Sequence, residues 1–219
     1  MLLRDFQNLL GHVYGIDLSA NVYDFLVTDP SLLKYWGGAA DEYEREEKLL
    51  LLQEEDELGL ALYLHPDLLT RLSKLDPRAE LSDANLSDFC TVLEGVSHFN
   101  YMAWNAAAEK RVTLMELEMQ AEVDKYVGAR VLLETQPESK LGASLYARLF
   151  DNPRFHDDLG VEELSRYRNA SDFAGRYCRS LELRYTRHRV ERRMTRELRT
   201  FFRLPQPAKV SHIHSATFA

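Results

Sequence analysis

The stretch "LEGVSHFNYMAWNAAAEKRVTLMELEMQAEVDKYVGARVLL", residues 93–133, decides the fold. Its apolar residues recur at helical spacing on both sides of "EKRV", and a connection that short makes the two helices antiparallel neighbours. The first helix is predicted over Leu86–Ala108 and the second over Leu114–Leu133, with Thr113 and Glu116 as a capping box that fixes the second start. Ser87, Thr91, Glu94, His98, Tyr101 and Asn105 step by four and three, so they share one face of the first helix. The other positions there are almost all apolar or small. A helix of that kind is buried, and its polar stripe must find partners inside the protein or line a cavity.

Working outward, Leu2, Leu3, Phe6, Leu9, Leu10, Val13 and Tyr14 predict an opening amphipathic helix that stops near Gly15. "KLLLLQEEDELGLALYLHP" carries two apolar runs, Lys48–Gln53 and Leu58–His65, around a polar turn, which reads as a β-hairpin. A lone hairpin is marginal in water, so a third strand, drawn from Tyr23–Thr28, or a helix is expected beside it. Beyond the Pro- and Asp-rich turn at residues 74–85 the chain reads as helical: a short helix near Leu141–Leu149, then one long helix from Val161 to Phe202. Residues 205–219 follow a helix stop and read as a tail or strap. The expected fold is α+β and predominantly helical: a bundle over residues 81–204 with a small antiparallel hairpin or three-stranded sheet in a mixed lobe over residues 1–80, together one compact domain.

The 219 residues, 45% of them hydrophobic, suffice for a core without staples. No apolar run approaches the roughly 18 residues of a spanning helix, and the first residues lack the pattern of a signal peptide. The chain is therefore expected to be soluble and cytoplasmic, with no membrane partner. Cys90 and Cys178 stand far apart and read as reduced, buried side chains. The net charge of −8 is unevenly spread. Twelve arginines face four acids between Arg166 and Arg203, a surplus of eight, and Lys209 is the one charge beyond, so residues 1–165 carry −17.

Three functions follow from these patterns. The leading expectation is an accessory or adaptor protein acting through protein contacts, with a homodimer among its forms and no cofactor, because nucleophile motifs, phosphate loops and His-Glu-x-x-His are absent from the sequence. The first rival is a metal-dependent helical hydrolase or oxidase. Glu94 and His98 from one helix, with Glu118 and Glu122 from its neighbour, would supply oxygen and imidazole ligands for Mn, Fe, Mg or Zn, and Tyr101 would support them. Carboxylate-bridged di-metal bundles take ligands from four helices and use Glu-x-x-His, a spacing this stripe lacks. A structural reading of the same stripe pairs its carboxylates with Arg176 and Arg179 of the arginine-rich helix. The second rival is a nucleic-acid-binding regulator using Arg184, Arg187, Arg189, Arg192, Arg193 and Arg196, with His188, Tyr185, Phe201 and Phe202 available to stack. The absence of Lys from that segment and the interleaved Glu182, Glu191 and Glu197 favour ion pairs within the helix instead. His212 and His214 lack a third metal ligand, and His156, Asp157 and Asp158 read as a helix start.

Overall fold

The computed structural model describes all residues except 37–44, 55–56, 140, 142–144, 154, 156–158, 186–191 and 217–219. The helix α1, Leu2–Tyr14, buries Leu3, Phe6, Leu10, Val13 and Tyr14 and ends at Gly15, whose φ of 61° is the left-handed conformation that closes a helix. Two arginines from the far end of the chain satisfy the carbonyls left open there. Arg199 donates to Val13 O (3.0 Å) and His12 O (2.9 Å), and Arg203 donates to Tyr14 O (3.1 Å).

A three-stranded sheet follows in the order β1-β3-β2, with β1 Leu26–Val27, β2 Glu47–Glu54 and β3 Glu57–Leu64. β2 and β3 form the expected hairpin, and β1 runs parallel to β3 as the third strand. Residues directly opposite share a face, so the pairs Glu47–Leu64 and Leu49–Leu62 set the side that meets the bundle. Leu50, Ala61 and Tyr63 point the other way and pack on Leu33 of the 3₁₀ helix Pro30–Trp36. A further short helix, α2 Pro66–Lys74, begins with Pro at its first position and His65 as N-cap, and buries Leu68 and Leu72.

α3, Leu86–Ala107, and α4, Leu114–Glu134, form the antiparallel pair. The turn out of α3 is a Schellman motif: Lys110 N donates to Asn105 O and Glu109 N to Ala106 O, with Glu109 at φ 52°. Only half of the capping box forms. Thr113 Oγ1 accepts from Glu116 N at 3.1 Å, while the Glu116 carboxylate serves the Tyr101 hydroxyl and Gln206 N. The pair is close because residue 128 is glycine: a Cβ there would lie 2.5 Å from Leu93 Cδ2.

α5, Val161–Arg184, packs along α4 through Ala170, Ala174, Cys178 and Leu181, the stripe legible in the sequence. The long helix expected to Phe202 is two helices, α5 and α6, Arg192–Phe202. Tyr185 turns to an extended conformation, and the Tyr177 and Phe201 rings stack 3.9 Å apart. On one straight helix those residues would stand about 36 Å apart. Folding back buries Phe201 and Phe202, the latter against Tyr14, Tyr101 and Trp104. Of the short helix expected near Leu141–Leu149, residues 142–144 lie outside the described residues; Leu145 and Tyr146 are helical and lead into a π-helical turn over Ala147–Asp151. Where a tail or strap was expected, α7, Gln206–Ala216, lies against α5. The fold is thus α+β and mostly helical, as the sequence predicts. No helix among the described residues is long and apolar enough to cross a membrane.

Candidate functional site

Where α3 and α4 meet β2, six charged groups gather below the surface. Glu94 and His98 stand one turn apart on α3; Glu118, Glu122 and Lys125 lie on the facing side of α4; Glu47 reaches in from the first position of β2. Glu47 comes this close because residue 95 is glycine. A Cβ there would meet Leu62 Cδ1 at 2.8 Å and Glu47 Cγ at 2.9 Å.

Two ionic triads result. His98 lies between Glu47, 3.4 Å from Nδ1, and Glu118, 3.6 Å from Nε2. Lys125 lies between Glu94 at 3.0 Å and Glu122 at 2.5 Å. Glu47, Glu94 and His98 each offer one donor atom, all within 4.8 Å of one another, so Glu94 links the two triads. The His98 side chain is 6% exposed. Even so, its Nε2 and Glu47 Oε1 make no hydrogen bond to a described residue.

The electrostatics follow from burial. Desolvation opposes charge on His98, but the two flanking carboxylates outweigh it and hold the imidazolium well above the ordinary histidine range. Burial raises the Glu47 carboxyl against the pull of His98, and raises Glu122 against the pull of Lys125. Lys125 itself, desolvated yet flanked by Glu122 and Glu94, is held above the usual lysine range. The slot therefore holds four carboxylates against two cations, a formal charge of −2. At its rim Glu163 bridges Arg45 (3.3 Å) and Arg166 (3.7 Å), adding one net positive charge, so the whole remains anionic. Tyr167 of α5 faces the cluster, and burial followed by Glu118, Glu94 and Glu47 raises its hydroxyl.

The structure brings Glu94, His98, Glu118 and Glu122 into one slot, with Lys125, which the sequence puts one turn beyond Glu122 on α4, and adds Glu47 from β2. Glu47 was findable, because period-2 alternation puts it on the same strand face as Leu49. Tyr101 does not support the slot; seven residues along α3 from Glu94, its hydroxyl donates to Glu116 Oε1 at 2.5 Å instead. Arg176 and Arg179 do not neutralise it either. Arg176 is exposed, and Arg179 pairs with Glu182 (3.1 Å) over the Tyr146 ring. Lys125, already on α4 one turn from Glu122, reaches the carboxylates first.

Of the nucleic-acid candidates, Arg192, Arg193 and Arg196 are exposed on α6, and Arg184 lies 3.6 Å from Glu197. Arg187 and Arg189, like His188, Glu191, His156, Asp157 and Asp158, lie outside the described residues. Glu197 pairs between helices rather than along its own, reaching Arg184 and His212 Nε2 (2.6 Å). His214 is exposed, its ring beside Phe173. Cys90 and Cys178 are free thiols, and burial pushes Cys90 up to about 12. Comparison with protein-family models, with curated proteins and with solved structures returns no match.

Proposed function

We propose that this protein binds a divalent cation in the slot between β2, α3 and α4, through Glu47, Glu94 and one imidazole nitrogen of His98, with Glu118 and Glu122 completing or orienting the set. One observation carries the reading: His98 Nε2 and Glu47 Oε1, buried among charged groups of net negative sign, make no hydrogen bond to a described residue and have only ion-pair partners at 3.6 and 3.4 Å. A network serving packing alone would satisfy them, since an unmade buried polar contact costs about 1–3 kcal/mol. A divalent cation beside Glu47 and Glu94 gives Glu47 Oε1 a partner and offsets the charge, displacing the His98 proton as it enters. Carboxylates with a single imidazole suit Mn²⁺ or Fe²⁺ better than the thiolate-seeking metals. A cation there would polarise a water molecule or substrate oxygen arriving past Glu94 and Glu122, the chemistry of a metal-dependent hydrolase. Action through protein contacts has Leu51 and Leu52, exposed on β2, in its support and leaves the slot unexplained.

Equilibrium dialysis against Mn²⁺ with elemental analysis tests the proposal. Near-stoichiometric uptake that rises with pH, and falls at least tenfold in affinity in Glu94→Gln and His98→Gln, is expected. A wild type that takes up no Mn²⁺, Fe²⁺ or Zn²⁺, or variants that bind as well as it does, would overturn it.

A further inference from the structure

A second buried polar chamber lies on the other face of α4, away from the slot. Its walls are Tyr14 of α1, Ser97 and Tyr101 of α3, and Glu116, Gln120 and Asp124 of α4, all but sealed from solvent. Its occupant is a side chain from the end of the protein. Lys209 of α7 is 0% exposed and places its amine against neutral acceptors: Nζ donates to Gln120 Oε1 at 2.6 Å and to Phe201 O at 3.0 Å. The remaining direction is covered by rings, with Phe201 centred 4.2 Å and Tyr101 5.3 Å from Nζ.

Behind these groups the carboxylates are already engaged. Asp124 accepts from Tyr14, Ser97 (2.6 Å) and Gln120 (2.8 Å), and Glu116 accepts from Tyr101 and Gln206 N. They supply negative potential without touching the amine. Two aimed acceptors, two aromatic faces and carboxylates one layer back form a cage for an amino group. The helix that delivers the amine lies against α5. Among the described residues Ile213 is buried and Val210 packs on the core, His212 meets Glu197 and the Tyr177 and Phe201 rings, His214 lies beside Phe173, and Gln206 meets Glu116 and Thr113.

We infer that this chamber is a binding site for a primary amine which Lys209 fills in cis, so that α7 is a displaceable plug and an alkylamine ligand binds in its place. The geometry sets the specificity. Two N–H donors are needed, so primary amines fit; a quaternary ammonium, with no N–H and three extra methyl groups, does not.

Chemical rescue decides the matter. Lys209→Ala is expected to lower the melting midpoint by roughly 10 °C, because it removes a buried side chain, strips Gln120 Oε1 of its amine donor and leaves Phe201 O with Leu204 N alone. Tens of millimolar n-butylamine should restore at least about 3 °C of that loss, while n-butanol and butyltrimethylammonium restore nothing comparable. Lys209→Met, which keeps the stem and lacks the amine, should gain nothing from butylamine. Equal rescue by butanol and butylamine would show mere cavity filling and overturn the inference, as would no rescue at all. If Lys209→Ala does not fold, butylamine is added to the wild-type chain and amide exchange over α7 is followed. Faster exchange than with butanol supports displacement of the plug; equal exchange overturns it.

Discussion

Lys125→Met removes the cation shared by Glu94 and Glu122 while leaving a stem of similar length in place. At 3.0 Å and an effective dielectric near 20, one such contact is worth about 5 kcal/mol before desolvation is subtracted. Lys125 and both carboxylates are each less than a quarter exposed, so the loss follows the pattern of a buried pair stripped of one partner, about 3–5 kcal/mol. For a chain of this size that is a fall of roughly 10 °C in melting midpoint, read by differential scanning calorimetry. Glu122, already raised by burial, loses the group that holds it down. Its folded-state proton affinity then exceeds the unfolded one by more. A raised carboxyl stabilises fully below its unfolded pKa and loses that contribution as pH climbs through its folded pKa, so the deficit of Lys125→Met should shrink at pH 5 relative to pH 7. Adding Glu94→Gln and Glu122→Gln should recover most of the stability, since the stranded charges are then gone. The same single substitution moves the slot from −2 to −3, so Mn²⁺ should bind more tightly to the variant than to the wild type. A Lys125→Met chain that melts within about 2 °C of wild type, or whose deficit grows on acidification, refutes this account of the slot.

The turn after α3 offers a stability gain: Glu109 sits at φ 52° in a position that favours glycine, so Glu109→Gly should raise the urea-unfolding free energy by about 1 kcal/mol, and a loss would mean that its side chain has a role there. Burial pushes the Lys209 amine down to about 7, against the opposing pull of Glu116 and Asp124. Above that value the folded state has shed a proton that the unfolded chain keeps to about 10.4, so the wild type should gain up to ~1.4 kcal/mol per pH unit over Lys209→Met between about pH 7 and 9; equal slopes in urea titrations would contradict the burial of this amine.

Local order was legible wherever pattern and cap agree. The α3–α4 pair emerges from "LEGVSHFNYMAWNAAAEKRVTLMELEMQAEVDKYVGARVLL" within a residue at each end, since its short connection allows one arrangement. The hairpin and the Gly15 stop are equally local. The helix read straight through from Val161 to Phe202 failed because periodicity describes a face and not a direction. Arginine and glutamate suit either outcome, and the Tyr177–Phe201 stack that requires the reversal joins residues far apart in the chain.

The candidate site divides along the same line. Sequence alone determined that Glu94 and His98 share a helix face, that Glu118 and Glu122 share another, and that the two helices lie side by side. Only the tertiary structure decided that Glu47 would join them across Gly95, that Lys125 rather than an arginine would hold Glu94 and Glu122, and that Tyr101 would turn to Glu116. The difference has one cause. Spacing within a helix is fixed by backbone geometry that every turn repeats, whereas the partner of a buried charge is whichever opposite group the packing of separate elements brings within reach, and that depends on the whole core.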